Sequence, residues 1–256
     1  MASLEQALAS APLWAVGLPF FALLVLACLT GQWLRGRFDA QRADSQSDGY
    51  LLSAALALLG LLIAFTFSLA VTRYDTRRTM VVAEGNAIST AWLRATLVEG
   101  PEGQALRAAL KRYADIRLRL PDSGQRRVIE AQTNEAQAMV WSRLKAALPA
   151  MSPPIGATLV NATTEMFDAA ASRKAERQAR IPGRVLDVVS LYALLSAGIV
   201  GYVLGRRDGQ RHLVVTVLLF LLLTLAMVLI LDLDRPWSGG ITISPQPIID
   251  ARAGMN

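Results

Sequence analysis

A row of apolar and hydroxyl side chains near residue 65 leads directly to basic residues. Spacings of three and four place the row on one face of a helix. Its members are Leu58, Leu61, Phe65, Ser68 and Thr72, and Arg73 and Arg77 follow them. A ring of Leu61 and Phe65 from several subunits would form a hydrophobic constriction, with hydroxyl donors and anion-attracting arginines beyond it. The same row also fits ordinary helix–helix packing, and spacing alone leaves both interpretations open.

Residues suited to catalysis are few. The chain has one His, His212, and one Cys, Cys28, which excludes a His/Cys metal site and an intrachain disulfide. The sequence has no nucleophile elbow and no phosphate-binding glycine loop. The carboxylates Glu84, Asp232 and Asp234 could serve as general acids or bases, but no second motif supports that role. The sequence therefore predicts neither an enzyme nor a bound cofactor or metal.

Four long apolar segments dominate the composition, which is 53% hydrophobic. A helix of roughly 20 apolar residues crosses a bilayer. The predicted spans cover about residues 12–34, 51–72, 187–205 and 213–231. The net charge of +6 comes from basic residues beside these spans, which is typical of membrane proteins rather than of nucleic-acid binding. We therefore predict a multi-pass protein of the cell membrane, such as a bacterial inner membrane, with the lipid bilayer as its partner.

The second span organises the rest of the chain. No Pro or Gly separates its end at Thr72 from the polar, amphipathic sequence that continues to Glu84, so one helix is expected to run from lipid into a soluble region. The soluble region has helical periodicity and no alternating strand pattern. It is predicted to be a bundle of about three or four helices. The fold class is thus an all-α membrane protein with two transmembrane hairpins and a helical insert between them.

The predicted domains follow from these segments. The first hairpin covers residues 1–72, the soluble bundle 73–183, the second hairpin 184–232 and a tail 233–256. The insert and both termini then share one side of the membrane. Arginines in the two hairpin loops favour an insert outside the cytoplasm, whereas arginines flanking the insert favour the opposite orientation, so the side stays open.

Small residues recur every fourth position in the third span. They are Ala193, Ala197, Gly201 and Gly205. Such a row lets helix backbones approach closely. The partner helix could belong to the same chain, which we favour because four spans must pack together, or to a neighbouring subunit.

Charged residues end the last span. Asp232, Asp234 and Arg235 lie beside a very apolar helix, where charges are costly unless they are paired. They are predicted to form an interfacial charge cluster that fixes the tail against the bundle. The expected basic partners are Arg73, Arg184 or Arg207.

Several motifs resemble a bacterial family of membrane proteins that carries a bestrophin-like domain of unknown function. The matching stretches are Ala64-Phe-Thr-Phe-Ser68, Arg73-Tyr-Asp75, the sequence from Glu84 to Arg94, Arg180-Ile-Pro182, Gly201-Tyr202, Leu231-Asp-Leu-Asp-Arg-Pro236, Gly239 and Ser244-Pro-Gln-Pro247. They extend over most of the chain from about residue 50.

The resemblance to bestrophins themselves is more remote, and it implies a pentameric anion channel whose second segment lines the pore. Leu61 and Phe65 then fall at neck positions, with Ala57 one turn earlier. Asp75 stands where bestrophins usually carry an aromatic residue, and no acidic cluster matches their calcium clasp, so calcium gating is not implied. The expected partners are further copies of the chain and a chloride-like anion. A non-conducting scaffold or sensor that couples the soluble bundle to the membrane remains the alternative.

Overall fold

The chain is helical throughout. The structure is a computed structural model that describes residues 12–38, 46–120, 125–204, 210–235 and 239–256, and none of these residues lies in a strand. In chain order the helices are α1 (Leu13–Phe38), α2 (Gln46–Ala95), α3 (Gly100–Leu118), α4 (Arg126–Ala147), α5 (Pro153–Gln178), α6 (Gly183–Leu204), α7 (Gln210–Asp234) and α8 (Gln246–Ala253). The all-α prediction is therefore confirmed.

The helices form two compact units. One comprises Met1–Tyr74 and Arg180–Ile241, and the other comprises Asp75–Ala179 and Thr242–Asn256. We call them the membrane unit and the soluble unit. Helix α2 is unbroken over 50 residues, so its first half belongs to the membrane unit and its second half to the soluble unit.

Four helices build the membrane unit. The helices α1, α6 and α7 and the first half of α2 are long and apolar enough to cross a membrane, which confirms four candidate membrane helices, two before and two after the soluble helices. Leu24, Leu59, Ala197 and Phe220, one from each helix, pack in a common core cluster. Many of the other apolar side chains of these helices are exposed, as expected for surfaces that face lipid or another subunit.

Helices α1 and α6 approach so closely that only glycine fits at two positions. A Cβ atom on Gly31 would lie 2.0 Å from the carbonyl oxygen of Gly198, and one on Gly201 would lie 1.9 Å from that of Cys28. Ala193 and Ala197, on the same face of α6, are buried. The small-residue row thus lies against a helix of the same chain, whereas Gly205 lies outside the described residues.

Arg35 donates hydrogen bonds to carbonyl groups at the carboxyl end of α6. Its Nη1 donates hydrogen bonds of 2.7 Å to the carbonyl oxygens of both Tyr202 and Val203. The last carbonyl groups of a helix lack intrahelical donors and carry the negative end of the helix dipole. A buried arginine at this place therefore stabilises the end of the α1–α6 pair.

In the soluble unit, side chains at spacings of three and four form the core. Leu106, Leu110 and Tyr113 of α3 are buried, as are Ile129, Val140 and Leu144 of α4 and Leu159, Met166 and Ala170 of α5. Within each helix these residues share one face, as expected for an amphipathic helix in a bundle.

Helix α2 ends at Ala95, shortly before the Gly100-Pro-Glu-Gly103 sequence. Arg107 Nη1 donates hydrogen bonds to the carbonyl oxygens of Ala95, the last residue of α2, and of Val98. These carbonyl groups at the end of α2 therefore have a hydrogen-bond donor.

The carboxyl-terminal helix α8 packs in the soluble unit. Ile248 and Met255 are buried, and Arg252 Nε donates a 2.6 Å hydrogen bond to Asp115 Oδ1. A Cβ atom on Gly85 of α2 would lie 2.7 Å from the carbonyl oxygen of Pro247. Docking of the tail therefore depends on a glycine in α2.

Replacing Gly85 with Ala is expected to loosen the tail, because the added methyl group would clash with the backbone of Pro247. Hydrogen exchange of residues 246–255 should become faster. Gly60→Ala is the matched control on the same helix, since a Cβ atom there meets nothing within 4 Å. Equal exchange of the tail in Gly85→Ala and Gly60→Ala would contradict this account of docking.

Candidate functional site

The first half of α2 presents two different faces. Leu59 is 1% exposed, and Thr66 and Ala70 are also buried against the chain's own core. Leu61 and Phe65 are 50% and 65% exposed. A helix with one packed face and one open apolar face has a surface that must contact lipid or another protein chain.

The whole row on the open face is accessible. Ala57, Ser68 and Thr72 are exposed together with Leu61 and Phe65. Thr72 Oγ1 donates a 2.9 Å hydrogen bond to the carbonyl oxygen of Ser68 within the helix. The pore-lining role of this row stays a prediction.

The two arginines after this row differ in environment. Arg73 is half-buried, whereas Arg77 is 2% exposed. Arg77 Nη2 donates a 3.0 Å hydrogen bond to the carbonyl oxygen of Ala179, at the carboxyl end of α5. The positive charge of Arg77 thus complements a helix end. Attraction of anions by either arginine stays a prediction.

A buried ion-pair network lies in the soluble unit. Glu84 of α2 is fully buried and accepts a hydrogen bond from Arg117 Nε of α3 and one of 2.7 Å from Arg173 Nη1 of α5. Both arginine side chains are almost completely buried. The network therefore ties together three helices of the unit through one carboxylate.

The pKa values in this network follow from burial and charge. Burial alone would raise the pKa of Glu84, but the charges and hydrogen bonds of Arg117 and Arg173 outweigh it and hold the pKa below its ordinary value. Burial raises the pKa of Tyr113 to about 12. Burial, helped by repulsion from Arg117 and Arg173, lowers the pKa of Arg177 to about 10. Glu84, Tyr113 and Arg177 each therefore keep one protonation state near neutral pH.

Asp232 organises the chain after α7. Its carboxylate accepts hydrogen bonds from the backbone N–H groups of Gly240, at 3.0 Å, and Ile241, at 3.2 Å. Gly239 has φ +153°, and a Cβ atom there would lie 1.8 Å from Asp232 Oδ1. Gly239 is thus required for the chain to turn around this carboxylate.

Asp234 joins α7 to the segment before α6. Its Oδ1 accepts a 3.0 Å hydrogen bond from the backbone N–H of Ile181. Asp232, Asp234 and Arg235 are all nearly buried. The sequence predicted arginine partners, namely Arg73, Arg184 or Arg207; this pairing stays a prediction, and Arg207 lies outside the described residues. The backbone amides were not foreseen, and they reach these carboxylates because the chain folds back onto the end of α7.

Sequence reasoning missed Arg117 and Arg173 as partners of Glu84. The signal was present, since each charged residue continues the buried stripe of its helix. Arg117 follows Leu110 and Tyr113, and Arg173 follows Met166 and Ala170. A charge at such a position must be paired. Within the described part of the chain, no group of three His, Cys, Asp or Glu residues could hold a metal ion.

Comparison with known proteins gives a consistent result. A family model described as the bestrophin-like domain matches residues 22–248. No match was found among curated protein sequences. The crystal structure of a bacterial bestrophin homologue from Klebsiella pneumoniae has 12% sequence identity and a TM-score of 0.70, covering 93% of this chain and 95% of that chain. A point variant of the homologue gives 12% identity and a TM-score of 0.72, with 96% of each chain covered.

At this identity the likeness to the Klebsiella structures concerns the fold. The family match is independent of that likeness and covers most of the chain. This family match and the four apolar helices, two before and two after the helical insert, show that the chain is a membrane protein that belongs to the bestrophin-like family.

Proposed function

We propose that the protein is an oligomeric, anion-permeable channel of the cell membrane in which α2 lines the pore. Family membership supports a channel. The observation that carries the proposal is the open face of α2, where the half-exposed side chains of Leu61 and Phe65 lie opposite a face packed into the chain's own core. A symmetric ring of subunits would bury this open face around a central axis.

The order of side chains along α2 suits a gated anion path. Leu61 and Phe65, one helical turn apart, would form the narrow apolar neck, which stops ions by excluding water. Ala57 would widen the path one turn earlier. Ser68 and Thr72 would offer hydroxyl groups beyond the neck. Arg73 would raise the local anion concentration at that end.

The proposed partners follow from this arrangement. They are the lipid bilayer, further copies of the chain and a chloride-like anion, and a bacterial inner membrane would suit the family. The proposal includes no cofactor, no metal and no catalysis.

Replacing Leu61 or Phe65 with Ala is expected to raise chloride conductance, because a wider and less apolar neck holds water more readily. The measurement is the current across planar bilayers that contain purified protein. Leu222→Ala on α7 is the matched control, since this side chain is 64% exposed but belongs to another helix. Its conductance should equal that of the unmodified chain.

Two outcomes would contradict the pore. One is the absence of any chloride-selective current, and the other is unchanged conductance in both Leu61→Ala and Phe65→Ala. Native mass spectrometry provides an earlier check, because a strict monomer has no subunit ring to enclose a path. An oligomer without current would instead support the scaffold or sensor function.

A further inference from the structure

Asp75 continues the open face of α2, one turn beyond Thr72. It follows Ser68 by seven residues and Leu61 by fourteen, and the helix is unbroken between them. Because seven residues make almost two turns of an α-helix, Asp75 lies within about 20° of Ser68 and about 40° of Leu61 around the helix axis. All three side chains are exposed. Asp75 therefore extends the row of side chains that the proposed pore uses.

The carboxylate of Asp75 is not neutralised by a contact within the described part of the chain, where it forms neither a hydrogen bond nor an ion pair. Thr79 Oγ1 donates its 2.9 Å hydrogen bond to the backbone carbonyl oxygen of Asp75 rather than to the side chain. Arg78 is also exposed, but it lies about 80° from Ser68 around the helix, on the side of Asp75 away from the row. The negative charge of Asp75 thus faces the same space as the row.

The two arginines that flank Asp75 lie on other sides of α2. Arg73 is half-buried and lies about 140° from Ser68 around the helix axis. Arg77 lies opposite Ser68, is buried and donates its hydrogen bond to the carbonyl oxygen of Ala179. Of the charged residues from Arg73 to Arg78, Asp75 is therefore the one nearest the row.

We propose that Asp75 limits the preference of the channel for anions, an inference that rests on the proposed pore. In a ring of subunits, one carboxylate from each subunit would repel anions beyond the neck and attract cations, because rings of acidic side chains favour cations. Arg73 has the opposite effect on anions, but from a position further from the row. The channel thus admits chloride with less preference over sodium than the same pore would without Asp75.

Replacing Asp75 with Asn tests this role, because it removes the charge and keeps the size of the side chain. The reversal potential across planar bilayers with unequal NaCl on the two sides gives the permeability ratio of chloride to sodium. One unit charge changes the local chloride concentration about twofold at roughly 8 Å in bulk water. Since several carboxylates act together, the ratio is expected to rise at least about threefold in Asp75→Asn. The rise should be smaller near 1 M salt, where charges are screened within about 3 Å.

Glu135→Gln is the matched control, because Glu135 is an exposed carboxylate on α4 and its loss changes the net charge by the same amount. Its permeability ratio should equal that of the unmodified chain. If the unmodified chain and Asp75→Asn both conduct with the same ratio, Asp75 does not limit the preference for anions. An equal rise in Glu135→Gln would also overturn the proposal, since net charge rather than the position of Asp75 would then set the ratio. The absence of current in every chain would contradict the proposed channel itself, and the role of Asp75 with it.

Discussion

Replacing Glu84 with Gln is expected to destabilise the soluble unit by about 3–5 kcal/mol, the usual cost of leaving buried charges without their partner. Glu84 is fully buried and is the carboxylate that binds both Arg117 and Arg173. Gln offers one acceptor oxygen in place of two, its NH₂ group cannot accept from an arginine, and it cannot balance two positive charges. The measurement is hydrogen exchange of α3 and α5 in the intact protein, corrected for intrinsic rates, which gives the free energy of local opening.

The control for Glu84 is an exposed carboxylate of the same unit. Asp115 Oδ1 lies 2.6 Å from Arg252 Nε, and the Asp115 side chain is 54% exposed. Asp115→Asn should therefore cost at most about 1 kcal/mol, as is usual for a surface pair. If Glu84→Gln loses no more stability than Asp115→Asn, the buried network contributes little.

Acid should weaken the same network. The folded-state pKa of Glu84 lies below its ordinary value of 4.5, so the stabilisation is present above that value and is lost as the pH falls through the folded pKa. The opening free energy of the unmodified chain should stay level between neutral pH and about 5 and then decrease. Glu84→Gln should show a smaller decrease, because the titrating carboxylate is absent.

Replacing Gly31 with Ala is expected to separate α1 from α6. The new methyl group would lie 2.0 Å from the carbonyl oxygen of Gly198, and helix backbones cannot yield as a side chain can. Overpacking lowers the free energy of unfolding by about 1–3 kcal/mol. A clash with backbone atoms is expected to cost at least the upper value of this range. Gly201→Ala should have the same effect through the carbonyl of Cys28. Thermal unfolding of the purified protein in detergent measures the loss.

Gly36 provides the matched control on the same helix. A Cβ atom there meets nothing within 4 Å. Alanine is the better helix former by about 0.5–1 kcal/mol, so Gly36→Ala should be neutral or stabilising. If Gly31→Ala and Gly36→Ala unfold at the same temperature, close approach of the two backbones is not what stabilises the pair.

Helical periodicity was sufficient to predict the core of the soluble unit. Leu106, Leu110 and Tyr113 are buried because apolar side chains three and four residues apart share one face, and this property is local. The pairing of Glu84 was not local. Its partners lie 33 and 89 residues away, so the stripe positions could show that these charges are buried but not which ones meet.

The backbone contacts of Asp232 and Asp234 were not predicted, for a related reason. Charge composition suggested arginine partners and gave no sign that the backbone N–H groups of Gly240, Ile241 and Ile181 donate to these carboxylates. Backbone donors have no sequence signature, and they become available only where the chain turns back. In the sequence, the glycine at position 239 was a local sign of such a turn, and in the structure its φ is positive.

Thiol modification at Phe65 tests the proposed pore most directly. In a Cys28→Ala background, Phe65→Cys should react with a charged, water-soluble methanethiosulfonate and the reaction should change the chloride current. Leu222→Cys, which is exposed on α7, should leave the current unchanged because its side chain would face lipid. If Phe65→Cys gains the mass of the reagent without any change in current, or remains unmodified as Leu222→Cys does, the open face of α2 does not line an anion path.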